Sequence, residues 1–191
     1  ATFDKGVPFT VSGYSGSALS GFPVLVRLAE GSPAGFSYDD LHAKATGADL
    51  AFVDMTGAGI PFEIDTWDST SGTALVWVSV PSLSSSTAIT AYFAPASGAS
   101  LPAVSSTAVW TKAGYVGVWH LNAMDNGEFA DSTGNGRSAV PSSASAAATA
   151  TGVIGNGSYS NGNNGNGALI LSATKVSDIS SAVADGCGKN Q

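Results

Sequence analysis

Gly72-Thr-Ala-Leu-Val-Trp-Val-Ser-Val-Pro81 is the stretch that decides how this chain folds. Between the two punctuating residues the apolar side chains alternate with the period of a β-strand. Val76, Val78 and Val80 fall on one face, Leu75 and Trp77 on the other. A strand that is apolar on both faces must be covered on both sides. Similar short runs, set off by Gly, Pro, Ser and Asp, recur at Val7–Val11, Phe22–Leu28, Asp49–Asp54, Pro61–Thr66 and Ala88–Phe93. Strands at roughly ten-residue spacing with turn residues between them predict an all-β chain, an antiparallel β-sandwich or jelly roll. The one helix expected is Tyr38–Ala48, capped by Asp39 or Asp40 and stopped at Gly47.

Beyond residue 95 the composition changes. Residues 1–95 read as one β domain, and 96–110, rich in Pro, Ser and Ala, as a linker. Residues 111–191 read as a second, partial β segment. There Tyr115-Val-Gly-Val-Trp-His-Leu121 and Ala168-Leu-Ile-Leu171 are expected strands, and Gly155–Gly167, dominated by Gly and Asn, an exposed loop. So few apolar runs make a marginal sheet. The segment is therefore expected to complete the first sandwich, to continue in further chain, or to lean on another subunit.

Bulk composition excludes several functions. With 7 Lys and Arg scattered over 191 residues and a net charge of −7, the chain lacks the clustered cations that nucleic acid or an anionic membrane surface requires. No apolar run reaches the 18 residues of a membrane span. Charged residues make up only 11%, the profile of an extracellular β protein solvated by Ser and Thr. The single cysteine, Cys187, rules out an internal disulfide and a thiolate metal site. The sequence opens at Ala1 without a charged-then-apolar leader, as a processed secreted chain or a recombinant fragment would.

Four motifs carry a family resemblance. Gly21-Phe-Pro-Val-Leu-Val-Arg27, Gly47-Ala-Asp-Leu-Ala-Phe-Val-Asp54, Gly59-Ile-Pro-Phe-Glu-Ile-Asp-Thr-Trp-Asp68 and Val76-Trp-Val-Ser-Val-Pro81 resemble, in that order over about residues 1–95, the bacterial DUF2341 family. That family is a domain of unknown function of large secreted and surface proteins, often followed by a laminin-G-like or concanavalin-like sandwich. Val116-Gly-Val-Trp-His-Leu121 and Asp131-Ser-Thr-Gly-Asn-Gly136 resemble the opening of such a lectin-like domain. The resemblance implies a secreted or cell-surface bacterial setting and glycan contact, with no assigned enzymatic activity.

Among constellations that carry chemistry, Glu63-Ile-Asp-Thr-Trp-Asp68 stands out. Glu63 and Asp65 share one strand face, and paired carboxylates flanking a glycosidic bond are what glycoside hydrolysis uses. The spacing also resembles the Glu-Ile-Asp-x-x-Glu strand of retaining jelly-roll glucanases, with Asp68 in place of the acid/base Glu. Trp67 beside Asp68 is the expected exposed aromatic for sugar stacking, whereas Trp77 and Trp119 read as core. Asp131 and Asn135 around Gly134 suggest either an oxygen-ligand Ca²⁺ turn or an Asx-type turn. His42 and His120 have no ligand-like spacing.

The expectation is thus a non-catalytic extracellular surface module, carbohydrate-binding or adhesive, with Glu63, Asp65, Trp67 and Asp68 at the ligand site and Asp131 and Asn135 at a calcium site. Its expected partners are a glycan or other surface ligand and copies of itself, with neither nucleic acid nor membrane insertion. Two rivals are a self-assembling structural subunit completed by inter-chain strand addition, and a glycosidase using Glu63 and Asp68.

Overall fold

The computed structural model describes residues 3–96, 105–111, 114–141, 149–152, 154–158 and 169–171. The chain divides into two units, Ala1–Ala113 and Gly114–Gln191. In the first, six strands form two three-stranded antiparallel sheets. One sheet has the order β1 (Phe3–Thr10), β6 (Ala88–Pro95), β3 (Ala51–Asp54); the other β2 (Leu19–Ala29), β5 (Thr73–Leu83), β4 (Phe62–Asp68). The expected all-β sandwich is what forms, and each of the six predicted runs lies in one of these strands apart from a residue or two at an end.

The alternation in β5 explains the layering. Val76, Val78 and Val80 are wholly buried between the sheets, together with Val26 and Leu28 from β2 and Phe62 from β4. The facing sheet contributes Val7, Phe52, Ala91 and Phe93, and Phe52 meets Phe62 across the gap at 5.1 Å between ring centroids. Each of these Val, Leu and Phe side chains stabilises the fold by about 1.5–3 kcal/mol relative to exposure. The opposite face of β5 is covered by a short helix, α1 (Ser106–Thr111), which packs on β4, β5 and β2 and buries Val109 and Trp110. Trp110 meets Trp77 edge-on at 5.4 Å. The stretch expected as linker therefore includes the element that covers the second apolar face.

Tyr38–Ala48 forms one turn of 3-10 helix, Tyr38–Asp40, followed by turns. Ser37 is the cap, its hydroxyl accepting the Asp39 N–H. The helix stops because the His42 N–H, which would continue it, donates to the Asp49 carboxylate at 2.8 Å instead.

In the second unit, β7 (Ala139–Pro141) pairs with β10 (Leu169–Leu171), and β8 (Thr149–Thr151) with β9 (Asn156–Ser158). Residues 115–121 are not a strand, contrary to their alternating pattern. Side chains take the backbone groups a neighbouring strand would have used: the Asp131 carboxylate accepts the Val118 N–H, and Asn135 and Arg137 donate to the Val116 carbonyl. Phe129 is the one large aromatic fully buried among the described residues of this unit. Cys187 and residues 159–167 of the expected Gly/Asn loop lie outside the described residues.

If α1 is part of the first unit's core, Trp110→Ala should cost about 3–5 kcal/mol in urea denaturation of the full chain. A loss under about 1 kcal/mol would show that the helix merely rests on the sheet.

Candidate functional site

Glu63 and Asp65 do share a strand face, as their spacing predicts, but they lie under the aromatic cover of β5. Glu63 is paired across from Trp77, and a β-bulge at Asp65 shifts the register between Ile64 and Thr66. The Trp110 indole N–H donates to Glu63 Oε2 at 2.5 Å, and the Trp77 indole N–H to Asp65 Oδ2 at 3.2 Å. Trp110 is 3% exposed. Both carboxylates thus serve as acceptors that fix two indoles: the Glu63 bond ties α1 to β4, and the Asp65 bond ties β5 to β4 at the bulge.

The bulge also decides where Trp67 goes. Strict alternation from Phe62 would put Trp67 on the same side as Glu63. The extra residue instead sets it opposite Ala74, on the core side, where it packs against the core cluster. One neighbour of its ring is Tyr38, at 5.0 Å, and another is Gly47, where a Cβ would come within 2.9 Å of the ring. Its indole N–H donates to the Lys44 carbonyl at 2.8 Å. Asp68 closes the β4–β5 turn, accepting the Ser71 and Thr70 N–H groups; the Ser71 amide and side chain, then the Thr70 amide, hold its carboxyl below the usual range. The four residues expected at one ligand site therefore occupy an indole-capped face (Glu63, Asp65), the core side (Trp67) and a turn (Asp68).

Asp131 organises a turn. Burial alone would raise its carboxyl, but hydrogen bonds from the Thr133 hydroxyl and from the Thr133, Val118 and Arg137 amides outweigh this and hold it below the usual range. Asn135 donates its amide to Thr133 Oγ1 and the Val116 carbonyl. Asp54-Met-Thr-Gly57 builds a similar turn after β3: Asp54 accepts from the Thr56 amide and hydroxyl, and Gly57, like Gly134, has positive φ. The recurrence of Asp-x-Thr-Gly is a signal in the sequence that marks both places as turns. Among the described residues, no group of three or more His, Cys, Asp or Glu side chains gathers as metal ligands.

A concave feature that the sequence did not indicate lies at the open side of the sandwich. The edge strands β1 and β2 belong to different sheets, and between them runs a groove of about 370 Å³. Phe9, Val11, Val24, Val26, Val80 and Ile89 line it, with Arg27 at its margin and no acidic residue. Pro23, which has no N–H, belongs at an outward-facing position of an edge strand. Ala29, of the same parity, exchanges both its backbone bonds with Ser32 outside the ladder. Leu25 and Arg27 between them therefore also point their N–H and C=O groups outward, towards the groove.

Residues 46–114 match the family model of a domain of unknown function (DUF2341). The match runs from the Gly47 motif through α1 and ends beside the boundary of the first unit; the Gly21–Arg27 motif lies outside it. No curated protein and no solved structure matches the chain. Among the described residues, no helix is long and apolar enough to cross a membrane.

The Asp131 turn makes a pH prediction. Because its folded-state pKa is depressed, its stabilisation is present above the unfolded value of about 3.9 and is lost as pH falls through the folded value. The amide resonances of Val118, Thr133 and Arg137 should titrate together, with a midpoint below that of a free aspartate. A shared midpoint above it would contradict the four-bond geometry.

Proposed function

We propose that the first unit is a non-catalytic surface module of a secreted bacterial protein, and that it adheres by adding an extended partner segment to its open β2 edge. The carrying observation is the apolar groove between β1 and β2, beside which Leu25 and Arg27 present outward backbone groups. Strand addition supplies main-chain hydrogen bonds, and an adjoining groove takes alternate side chains. The partner is another surface chain or a second copy of this one. The low charge content supports an extracellular setting. The indole bonds of Glu63 and Asp65 support a structural use of the carboxylate pair rather than a hydrolytic one.

A glycan is the second reading, favoured by a different surface. On the face of the β1–β6–β3 sheet turned away from the core, Tyr92 lies opposite Gly6, where a Cβ would come within 2.8 Å of its ring, and stacks with Phe3 at 5.4 Å. A partly exposed ring laid along a strand offers an apolar platform to a pyranose.

Leu25→Pro removes one outward N–H while leaving the inward ladder bonds in place. Selection of displayed random heptapeptides on the native chain should enrich β-branched, strand-forming sequences. The enrichment should be lost on a Leu25→Pro chain that still melts cooperatively. Equal enrichment on both would sink the edge reading. For the glycan, array binding that disappears with Tyr92→Ala is the expected result; binding that survives this change would move the sugar elsewhere.

A further inference from the structure

Building on the edge-capture reading, we infer that the captured segment is a short acidic strand of about five residues, apolar at alternate positions and carrying a carboxylate opposite Arg27.

Its length follows from how the β2 edge is closed. Pro23, the fifth of the eleven residues of β2, offers no donor and interrupts the row of outward N–H groups. At the C-terminal end, the Ala29 N–H donates to the Ser32 carbonyl at 2.7 Å and the Ser32 N–H donates back at 2.9 Å, so that turn already occupies the edge. Between these two interruptions Val24–Leu28 pairs with no described strand on the side away from β5, a window for a strand of about five residues.

The pattern follows from parity. Val24 and Val26 turn their side chains towards the core, Leu25 and Arg27 towards the opposite face. A strand laid beside β2 shares this alternation, since neighbours in a sheet keep their side chains on matching faces. The partner residues beside Val24 and Val26 therefore enter the apolar groove, and the one beside Arg27 lies on the outer face next to the guanidinium.

The charge follows from what surrounds Arg27. Among the described residues of this unit the basic side chains are Lys5, Arg27 and Lys44. Lys5 is paired with Asp40 at 2.7 Å and Lys44 with Asp39 at 2.5 Å; no described residue forms an ion pair with Arg27. On the outer face a partner carboxylate beside Arg27 meets a cation that no described carboxylate pairs, whereas a partner Lys or Arg meets repulsion.

The test uses two acetylated, amidated heptapeptides, Ser-Val-Thr-Val-Glu-Val-Ser and its counterpart with Gln for Glu, titrated into the full chain while the Leu25 and Arg27 amides are followed by NMR. Both peptides should shift these amides and slow their exchange with solvent. The Glu peptide should bind about two- to fivefold more tightly in low salt, the range of an exposed ion pair. That preference should vanish in Arg27→Gln and in high salt. Equal affinities for the native chain would overturn the acidic assignment while leaving edge capture standing. An undiminished Glu preference in Arg27→Gln would overturn it by placing the recognising group elsewhere. If neither peptide reaches the two amides, edge capture fails and the acidic strand fails with it.

Discussion

A strand apolar on both faces needs two covers, and in this chain that constraint on β5 shapes the whole first unit. The facing sheet supplies one cover, through Phe52, Ala91 and Phe93. Among the described residues the other is supplied by a helical turn and a half, α1. Six residues are far too few for a helix to persist on propensity alone. What holds α1 is burial of Val109 and Trp110 together with the bond from the Trp110 indole to Glu63.

This gives the paired carboxylates a physical role. A buried indole N–H without an acceptor costs about 1–3 kcal/mol, and a carboxylate brought under an aromatic cover without a donor costs more. Placing Glu63 under Trp110 and Asp65 beside Trp77 lets the groups satisfy one another. The string that reads as an acid pair in one dimension is, in three, the polar anchor of the covering helix.

The fold was legible because strand patterning is local: each run carries its own period and its own turn residues. Three features were not. The bulge at Asp65 inserts a residue without altering the composition of the strand, and it moves Trp67 from the expected outward face to the core side. Residues 115–121 alternate like a strand, yet a strand needs a partner, and the side chains of Asp131, Asn135 and Arg137 took the backbone groups first. Ser106–Thr111 looks like linker because only two of its residues face inward, too few to set a helical period. The Asp131 turn, by contrast, was readable: Asp54-Met-Thr-Gly57 repeats its pattern after a predicted strand, where a turn is required.

The edges of the sandwich show which surface is left available. Strand β1 carries Pro8 and the charged Asp4 and Lys5, β4 bends at its bulge, and β3 is only four residues long with Gly59 bridged to Val53 beside it. Prolines, charges, bulges and short strands are the devices by which β proteins discourage unwanted pairing. Strand β2 is interrupted as well, by Pro23 within it and by the Ala29–Ser32 bridge at its C-terminal end. The stretch between them is apolar on the core side, borders a groove into the core and carries Arg27, which forms no ion pair with a described residue. An edge closed along its whole length would be protected; an edge interrupted at two points, with an apolar stretch between them, is the geometry on which the proposed strand capture rests.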